Sequence, residues 1–390
     1  MLTPASGMPT RAQMWPLYAA GFTTAFGAHG IAANLFSDIG DLRTSLLYLG
    51  LLLALYDGAE VVLKPVFGSL ADRIGARPVL IGGLIAFAAA SAVFVVVDEP
   101  SWLWLARLGQ GAGASAFSPA ASSLVARMNP KNKQGSAFGT YGFYKSIGYT
   151  LGPLLGGVIV WIGGLPLLFA VMAVLGAAVA VWGAVAVPSI PPLPRTRQTL
   201  VDLVRRLSDG PFLRPTAALA AATAALSVGV GFLPVSGAAA GLGSVVTGAA
   251  VSLLAACAAI TQPRAGRALD AGRLHTRTGI RAGLLITAAG LGCAIVPGLV
   301  GMLLAAVGVG IGTGLITPLA FAALAASTPE ERMGQTMGAA ELGRELGDAG
   351  GPLLVAGAAA VATLTAGYAV LAVLIAATPL AVIQRQRPGP

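Results

Sequence analysis

The chain has 390 residues, of which 56% are hydrophobic and only 10% are charged. A soluble globular protein carries roughly 25% charged residues, so this composition excludes a soluble fold and indicates a chain that lies largely in a membrane. The net charge of +9 does not indicate nucleic-acid binding, because 19 of the 24 basic residues lie at the termini and in alternate loops between apolar segments. That distribution is a topology signal.

Twelve segments are apolar enough to cross a membrane, which takes roughly 20 residues each. We number them as spans 1 to 12 in chain order. The basic loops follow the even-numbered spans, and the positive-inside rule places these loops and both termini in the cytoplasm. The predicted fold is an all-α membrane protein with spans 14–36, 46–68, 78–97, 102–126, 135–159, 165–187, 215–236, 244–262, 280–296, 299–325, 335–360 and 366–384.

The two halves of the chain repeat each other. Seven residues of span 5 recur 199 positions later in or just before span 11, including a Gly-Pro-Leu-Leu sequence, and Lys145 is matched there by another basic residue, Arg344. Such a repeat is typical of transporters whose substrate site lies between two halves. We predict one six-helix bundle over 1–187 and a second over 215–390. The segment 188–214 is predicted to be a cytoplasmic linker with a short amphipathic helix near 199–207.

The loop after span 2 contains two glycines that permit a tight turn and an aspartate that can cap a neighbouring helix. A weaker copy, which contains Asp270, occupies the equivalent loop of the second half. The motif residues of the first copy are Gly68, Asp72, Arg73, Gly75 and Arg77.

Spans 4 and 5 carry two further motifs. In span 4, Arg107 precedes a Gly-x-Gly sequence inside an apolar segment. In span 5, small residues four positions apart allow close helix packing, and a proline removes a backbone hydrogen bond. The span 5 motif consists of Gly148, Gly152, Pro153, Gly156 and Gly157.

Together these motifs resemble the signatures of the major facilitator superfamily, and the span 5 motif resembles that of its twelve-helix drug:proton antiporters. The resemblance implies two six-helix bundles, with spans 2 and 11 side by side across the halves. It also implies that the loop containing Asp72 is a conformational latch. The span 5 motif is then a stiff hinge against the other half.

Apart from Arg281 at the cytoplasmic edge of span 9, nine charged residues lie inside the predicted spans, where each is costly unless it is paired. Most of them fall on one face of span 2 and one face of span 11. Counting helical rise from the cytoplasmic ends predicts a ladder of salt bridges between these faces. The alternative is a set of static pairs that only allow the charges to be buried. The predicted ladder pairs are Lys64 with Glu341 or Glu345, and Arg344 with Asp57 or Glu60.

Five acids face four bases inside the spans, and this excess of acid suits a proton-coupled carrier. Asp57, Glu345 and Asp348 lie deepest by sequence position and are the first candidates for proton coupling, with Glu60 as a further candidate. Spans 1, 7 and 10, which are expected to line the cavity, contain no acid.

Several other residues are candidates for the substrate cavity. Lys145 lies at mid-depth on a span that flanks the cavity and is suited to an anionic or carbonyl-bearing substrate. Arg107 is either functional or extends to the outer surface. His29 is either a proton relay or substrate contact, or a packing residue. Aromatic residues that could form a cavity wall are Phe26, Tyr141, Tyr144 and Tyr149.

The leading interpretation is a secondary active transporter that exports a small amphipathic organic molecule by proton antiport, in a bacterial plasma membrane. The alternatives are a proton-coupled uptake symporter and a non-transporting receptor or scaffold. An enzyme is not expected, because the sequence has no nucleotide loop and no nucleophile with a partner histidine. The expected partners are a small-molecule substrate, protons and lipids, with no nucleic acid, cofactor or metal, and the chain is expected to act as a monomer.

Overall fold

The computed structural model describes residues 9–34, 42–97, 102–193 and 208–383. These residues form α-helices joined by short turns, and no β-strand occurs among them. Two short 3-10 turns, Lys131–Lys133 and Glu330–Arg332, precede long helices. The helices are α1 (Arg11–Asn34), α2 (Leu42–Ile74), α3 (Ala76–Val97), α4 (Leu103–Met128), α5 and α6 (the two arms of Gln134–Ala186), α7 (Gly210–Ala239), α8 (Ser244–Asp270), α9 (Thr276–Cys293), α10 (Leu299–Ser327), α11 (Met333–Val361) and α12 (Leu364–Ile383).

The helix Gln134–Ala186 is bent at two glycines, which separate its arms α5 (134–162) and α6 (165–186). Gly163 and Gly164 have non-helical dihedral angles, and Gly164 has a φ of 68°. A left-handed φ is easily adopted by glycine because it has no Cβ. The bend falls between predicted spans 5 and 6.

The helices belong to two compact units, neither of which is one continuous half of the sequence. Unit 1 contains Met1–Lys133, Tyr144–Arg195 and Thr328–Leu342, and unit 2 contains the rest of the chain. Within unit 1, α4 packs against α1, α2 and α3, and within unit 2, α10 packs against α7, α8 and α9. The start of α11 lies in unit 1 and the start of α5 lies in unit 2. The predicted bundle boundaries at 187 and 215 stay predictions.

The chain is a multi-pass membrane protein. Within the described ranges, five helical segments are long and apolar enough to cross a membrane. The two helices that carry most intramembrane charges, α2 and α11, are not among them. The count of twelve spans and the side on which the termini lie stay predictions, and the linker helix predicted near 199–207 lies outside the described residues. The five segments are Ala76–Val96, Lys131–Ala186, Gly210–Ala239, Val245–Asp270 and Leu299–Ser327.

Candidate functional site

In unit 1, Asp72 caps the start of α11 from the end of α2. Its carboxylate accepts hydrogen bonds from the backbone nitrogens of Gly334 (2.6 Å) and Gln335 (2.7 Å). These N–H groups have no partner inside their own helix, and a carboxylate at a helix N-terminus is electrostatically favourable. Gly68 lets the two backbones approach, because a Cβ there would overlap the carbonyl oxygen of Gly334. Asp72 therefore joins α2 to α11, and its role as a conformational latch stays a prediction.

In unit 2, Asp270 builds the same junction between α8 and the start of α5. Its carboxylate accepts hydrogen bonds from the backbone nitrogens of Gly135 (2.9 Å) and Ser136 (2.7 Å). A Cβ on Gly266 would overlap the carbonyl group of Gly135, as at the first junction. In the sequence this copy is the weaker of the two matches to the motif. The aspartate and glycine that make the contact are nevertheless both present.

The glycines of these junctions give a direct test of the packing. Gly334→Ala and Gly135→Ala should each lower the melting temperature of the purified protein, because the new Cβ overlaps backbone atoms that cannot move independently. Gly350→Ala is the control, since nothing lies within 4 Å of its Cβ position. Alanine in a helix is favoured over glycine by about 1 kcal/mol, so the control should melt at or above the wild-type temperature. Equal melting of all three variants would contradict the close approach.

The other latch residues lie around the turn between α2 and α3. Gly75 has a φ of 100°, which explains the glycine at this turn. Arg77 donates from Nη2 to the carbonyl oxygen of Ala184, and Arg73 is exposed.

Arg127, at the end of α4, places a positive charge beside the first junction. Burial lowers the pKa of its guanidinium group, and the nearby carboxylates of Asp72 and Glu330 oppose that shift. Its Nη2 atom donates to the carbonyl oxygen of Pro191 at 3.1 Å. In the sequence, Arg127 is one of the basic loop residues that predict the topology, and nothing there indicates this contact.

A buried ion pair joins α5 to α11 in unit 1. The Nζ atom of Lys145 lies 3.2 Å from Oε2 and 3.5 Å from Oε1 of Glu341. The side chains are 7% and 0% exposed. Ser122 of α4 donates its hydroxyl to Oε1 of Glu341 at 3.3 Å. The sequence predicts Lys145 in the substrate cavity and Glu341 in the ladder of salt bridges. It does not predict the contact between these two residues.

A second buried pair lies within α2. Lys64 donates to Oε2 of Glu60 at 3.0 Å, one helical turn away, and both side chains are buried. The spacing of four residues was visible in the sequence. The predicted pairing of Lys64 with Glu341 or Glu345 stays a prediction. The predicted pairing of Arg344 with Asp57 or Glu60 also stays a prediction. The backbone oxygen of Arg344 accepts a hydrogen bond from Thr223 in unit 2.

Arg107 of α4 is 1% exposed, so it does not extend to the outer surface. Its guanidinium carbon lies 4.3 Å from the ring centre of Tyr56, a cation–π contact. Its Nη1 atom donates to Oε1 of Gln110 at 3.3 Å. The carboxylates of Asp57 and Glu60 are near enough to act electrostatically on it. Arg107 therefore belongs to a polar cluster with α2.

The acids that are most buried in the structure are not the ones that their positions in the spans place deepest in the membrane. Glu341 is fully buried and Glu60 is 3% exposed. Asp57 is exposed, and Glu345 and Asp348 are half-buried. Their roles in proton coupling stay predictions. No group of three or more histidine, cysteine, aspartate or glutamate residues suited to a metal ion occurs in the described part of the chain.

Aromatic rings from α1 and α5 form three groups of contacting rings in unit 1, which we together call the aromatic strip. Tyr18 stacks on Tyr144 with ring centres 5.2 Å apart. The ring centres of His29 and Tyr149 are 4.1 Å apart. Tyr141 is buried and belongs to unit 2. The strip consists of Trp15, Tyr18, Phe22, Phe26 and His29 of α1 with Tyr144 and Tyr149 of α5.

The glycines of the hinge motif bring α5 against α1. A Cβ on Gly148 would meet the carbonyl oxygen of Phe22, and one on Gly152 would meet the backbone of Gly30. Their observed contacts are thus within unit 1, and the predicted contact of the hinge with the other half stays a prediction. The motif also contains Pro153, Gly156 and Gly157, and its second copy joins α11 to α7 through Gly347 on Ala220 and Gly351 on Ala224.

The sequence matches the Major Facilitator Superfamily over residues 17–352. The Quinolone resistance protein NorA of Staphylococcus aureus is 32% identical over 109 residues, which are 28% of this chain and 28% of that protein. The Multidrug resistance protein MdtH of Yersinia pestis is 31% identical over 118 residues, 30% of this chain and 29% of that protein. The chain thus matches less than a third of the length of these relatives.

Solved structures show the same fold over almost the whole chain. The human organic anion transporter MFSD10 has a TM-score of 0.77 at 17% identity, covering 95% of this chain and 99% of that one. FucP in its outward conformation has a TM-score of 0.75 at 12% identity, covering 96% of this chain and 98% of that one.

Proposed function

Because the chain belongs to the Major Facilitator Superfamily, we propose that it is a secondary active transporter that exports a small amphipathic organic molecule in exchange for protons. The observation that carries the proposal is the buried ion pair between Lys145 and Glu341, which joins α5 to α11. Ionisable groups at such depth are costly and mark ion pathways in membrane proteins. The proposed location is the plasma membrane of a bacterium.

The two aspartate caps support alternating access. Asp72 and Asp270 each join the end of one helix to the start of another through a pair of backbone hydrogen bonds. Bonds of this kind are lost if the helix ends separate, so they favour one access state over the other. In the proposed cycle the bundles 1–187 and 215–390 move relative to each other, with 188–214 as the connecting linker.

The aromatic strip supports a substrate with a flat apolar part. Aromatic faces stack on planar rings with a preferred geometry. The relatives named for quinolone resistance and multidrug resistance suggest that an organic drug is a suitable first probe.

The charge of Lys145 also favours one alternative, the proton-coupled symport of an organic anion. Protonating Glu341 cancels its negative charge and leaves Lys145 as a net positive charge in an apolar site. A cationic compound would bind less well beside that charge and exchange with the proton, whereas an anion would bind together with the proton. The sign of the response to a pH gradient therefore distinguishes the two functions.

The test is uptake of norfloxacin and ethidium into proteoliposomes with an imposed pH gradient. Antiport predicts accumulation in an acidic lumen, abolished when an ionophore collapses the gradient. Empty liposomes correct for passive trapping of weak bases. Accumulation driven only by an acidic exterior would support symport instead, and no dependence on the gradient for either transported compound would reject proton coupling.

A further inference from the structure

The two junctions of the internal repeat are built alike in their backbones. Asp72 and Asp270 each cap a helix start, and Gly338 packs on the backbone oxygen of Lys64 as Gly139 packs on that of Gln262. The equivalent residues of α5 and α11 are 199 positions apart, and those of α2 and α8 are 198 apart. Unit 2 can therefore serve as an internal control for unit 1.

The chemistry at equivalent positions differs between the two junctions. Ser122, which donates to Glu341, corresponds to Phe321, and Phe321 stacks on Phe138 of α5 with ring centres 5.2 Å apart. The equivalent of Glu341 itself is Gly142. Unit 2 thus makes the same contact between helices with two stacked rings and a glycine.

Packing of this junction therefore does not require a buried carboxylate. Lys145 corresponds to Arg344, so the basic residue is kept in both copies of the repeat. Glu341 is the member that has no counterpart. A charge that costs desolvation free energy and is not needed for packing requires another explanation.

We propose that Glu341 is the proton-binding residue of the transport cycle and that Lys145 is its built-in counter-ion. This inference rests on the proposed function and names the site at which the proton is carried. Lys145 lies 3.2 Å from the carboxylate, and the serine hydroxyl lies 3.3 Å from its other oxygen. Ser122 is a positioning residue, since it orients the carboxylate without carrying the proton.

The proton step is a simple exchange of partners. A proton from water bonds to a carboxylate oxygen of Glu341, and the ion pair with Lys145 is broken while Nζ keeps its three protons. The site gains one positive charge. On the other side of the membrane the proton returns to water, and the carboxylate pairs with Lys145 again. No other co-reactant is needed.

The test uses infrared difference spectra of the purified protein in liposomes, with the proton as the only ligand. The spectrum at acidic pH minus that at alkaline pH should contain the carbonyl stretch of a buried protonated carboxyl group. Glu341→Gln should remove this band. Asp209→Asn, which neutralises an exposed carboxylate, should keep it. Ser122→Ala should keep the band but shift its frequency, because the hydrogen bond to the carboxyl group is lost.

The double variant Lys145→Gln with Glu341→Gln guards against misfolding of the single variant, since it leaves no buried charge stranded. It should also lack the band. A band that persists in both Gln variants would overturn the assignment of Glu341, as would its absence from the wild-type protein. These outcomes are independent of norfloxacin and ethidium uptake, so a failed assignment is distinguishable from a failed transport proposal.

Discussion

Replacing Lys145 by Met, or Glu341 by Leu, is expected to destabilise the protein by about 3–5 kcal/mol, because each single change breaks a buried ion pair and leaves the opposite charge in place. The double variant should unfold within about 1 kcal/mol of the wild type, or be more stable, since apolar residues replace both charges. The pair joins α5 to α11 at full burial, so little solvent is present to screen the stranded group.

Thermal unfolding of the four proteins in one detergent checks this result. Ser122→Ala is the matched control, because it removes one long hydrogen bond to the same carboxylate and strands no charge. Ser122→Ala should lower the free energy of unfolding by about 1 kcal/mol. If the double variant were as unstable as the sum of the two single variants, Lys145 and Glu341 would not act as a pair.

Asp72→Asn and Asp270→Asn are expected to expose the first turns of α11 and α5, respectively, to solvent. Each aspartate accepts two backbone hydrogen bonds, and an asparagine has only one side-chain oxygen and no charge. Hydrogen bonds to charged groups contribute about 1.5–3 kcal/mol, and about 1.4 kcal/mol corresponds to a tenfold change in an equilibrium constant. Amide exchange in the affected turn should therefore accelerate at least about tenfold.

Hydrogen–deuterium exchange followed by mass spectrometry resolves the two turns separately. Asp72→Asn should act on the peptide containing Gly334, and Asp270→Asn on that containing Gly135. The double variant should show both changes. Glu330→Gln, an exposed residue near the first junction, is the control and should leave both turns unchanged. Protection that survives the loss of either aspartate would mean that the cap does not hold its helix.

The contact between α2 and α11 was expected from the resemblance to the superfamily, which places these helices side by side, together with an aspartate that can cap a neighbouring helix. Gly68 permits a close backbone approach, and Asp72 needs unpaired N–H groups. The repeat places Asp270 at the equivalent position of the second half.

The partner of Glu341 was not predictable in the same way. Depth along the membrane placed Lys64 and Glu341 at similar levels, but it does not specify how each helix is rotated about its axis. Lys64 bonds to Glu60 of its own helix, and Lys145 reaches Glu341 from α5. A rotation of a few tens of degrees decides between such partners, and only the packed structure contains that information.

The most direct test of the account compares the wild type with Glu341→Gln in proteoliposomes, using a compound that the wild type accumulates. Two quantities are measured: accumulation driven by a pH gradient, and counterflow of labelled for unlabelled compound without a gradient. The account predicts that Glu341→Gln loses gradient-driven accumulation but retains counterflow within about threefold of the wild type, since about 0.65 kcal/mol corresponds to that factor. Gradient-driven accumulation by Glu341→Gln at the wild-type level would contradict it.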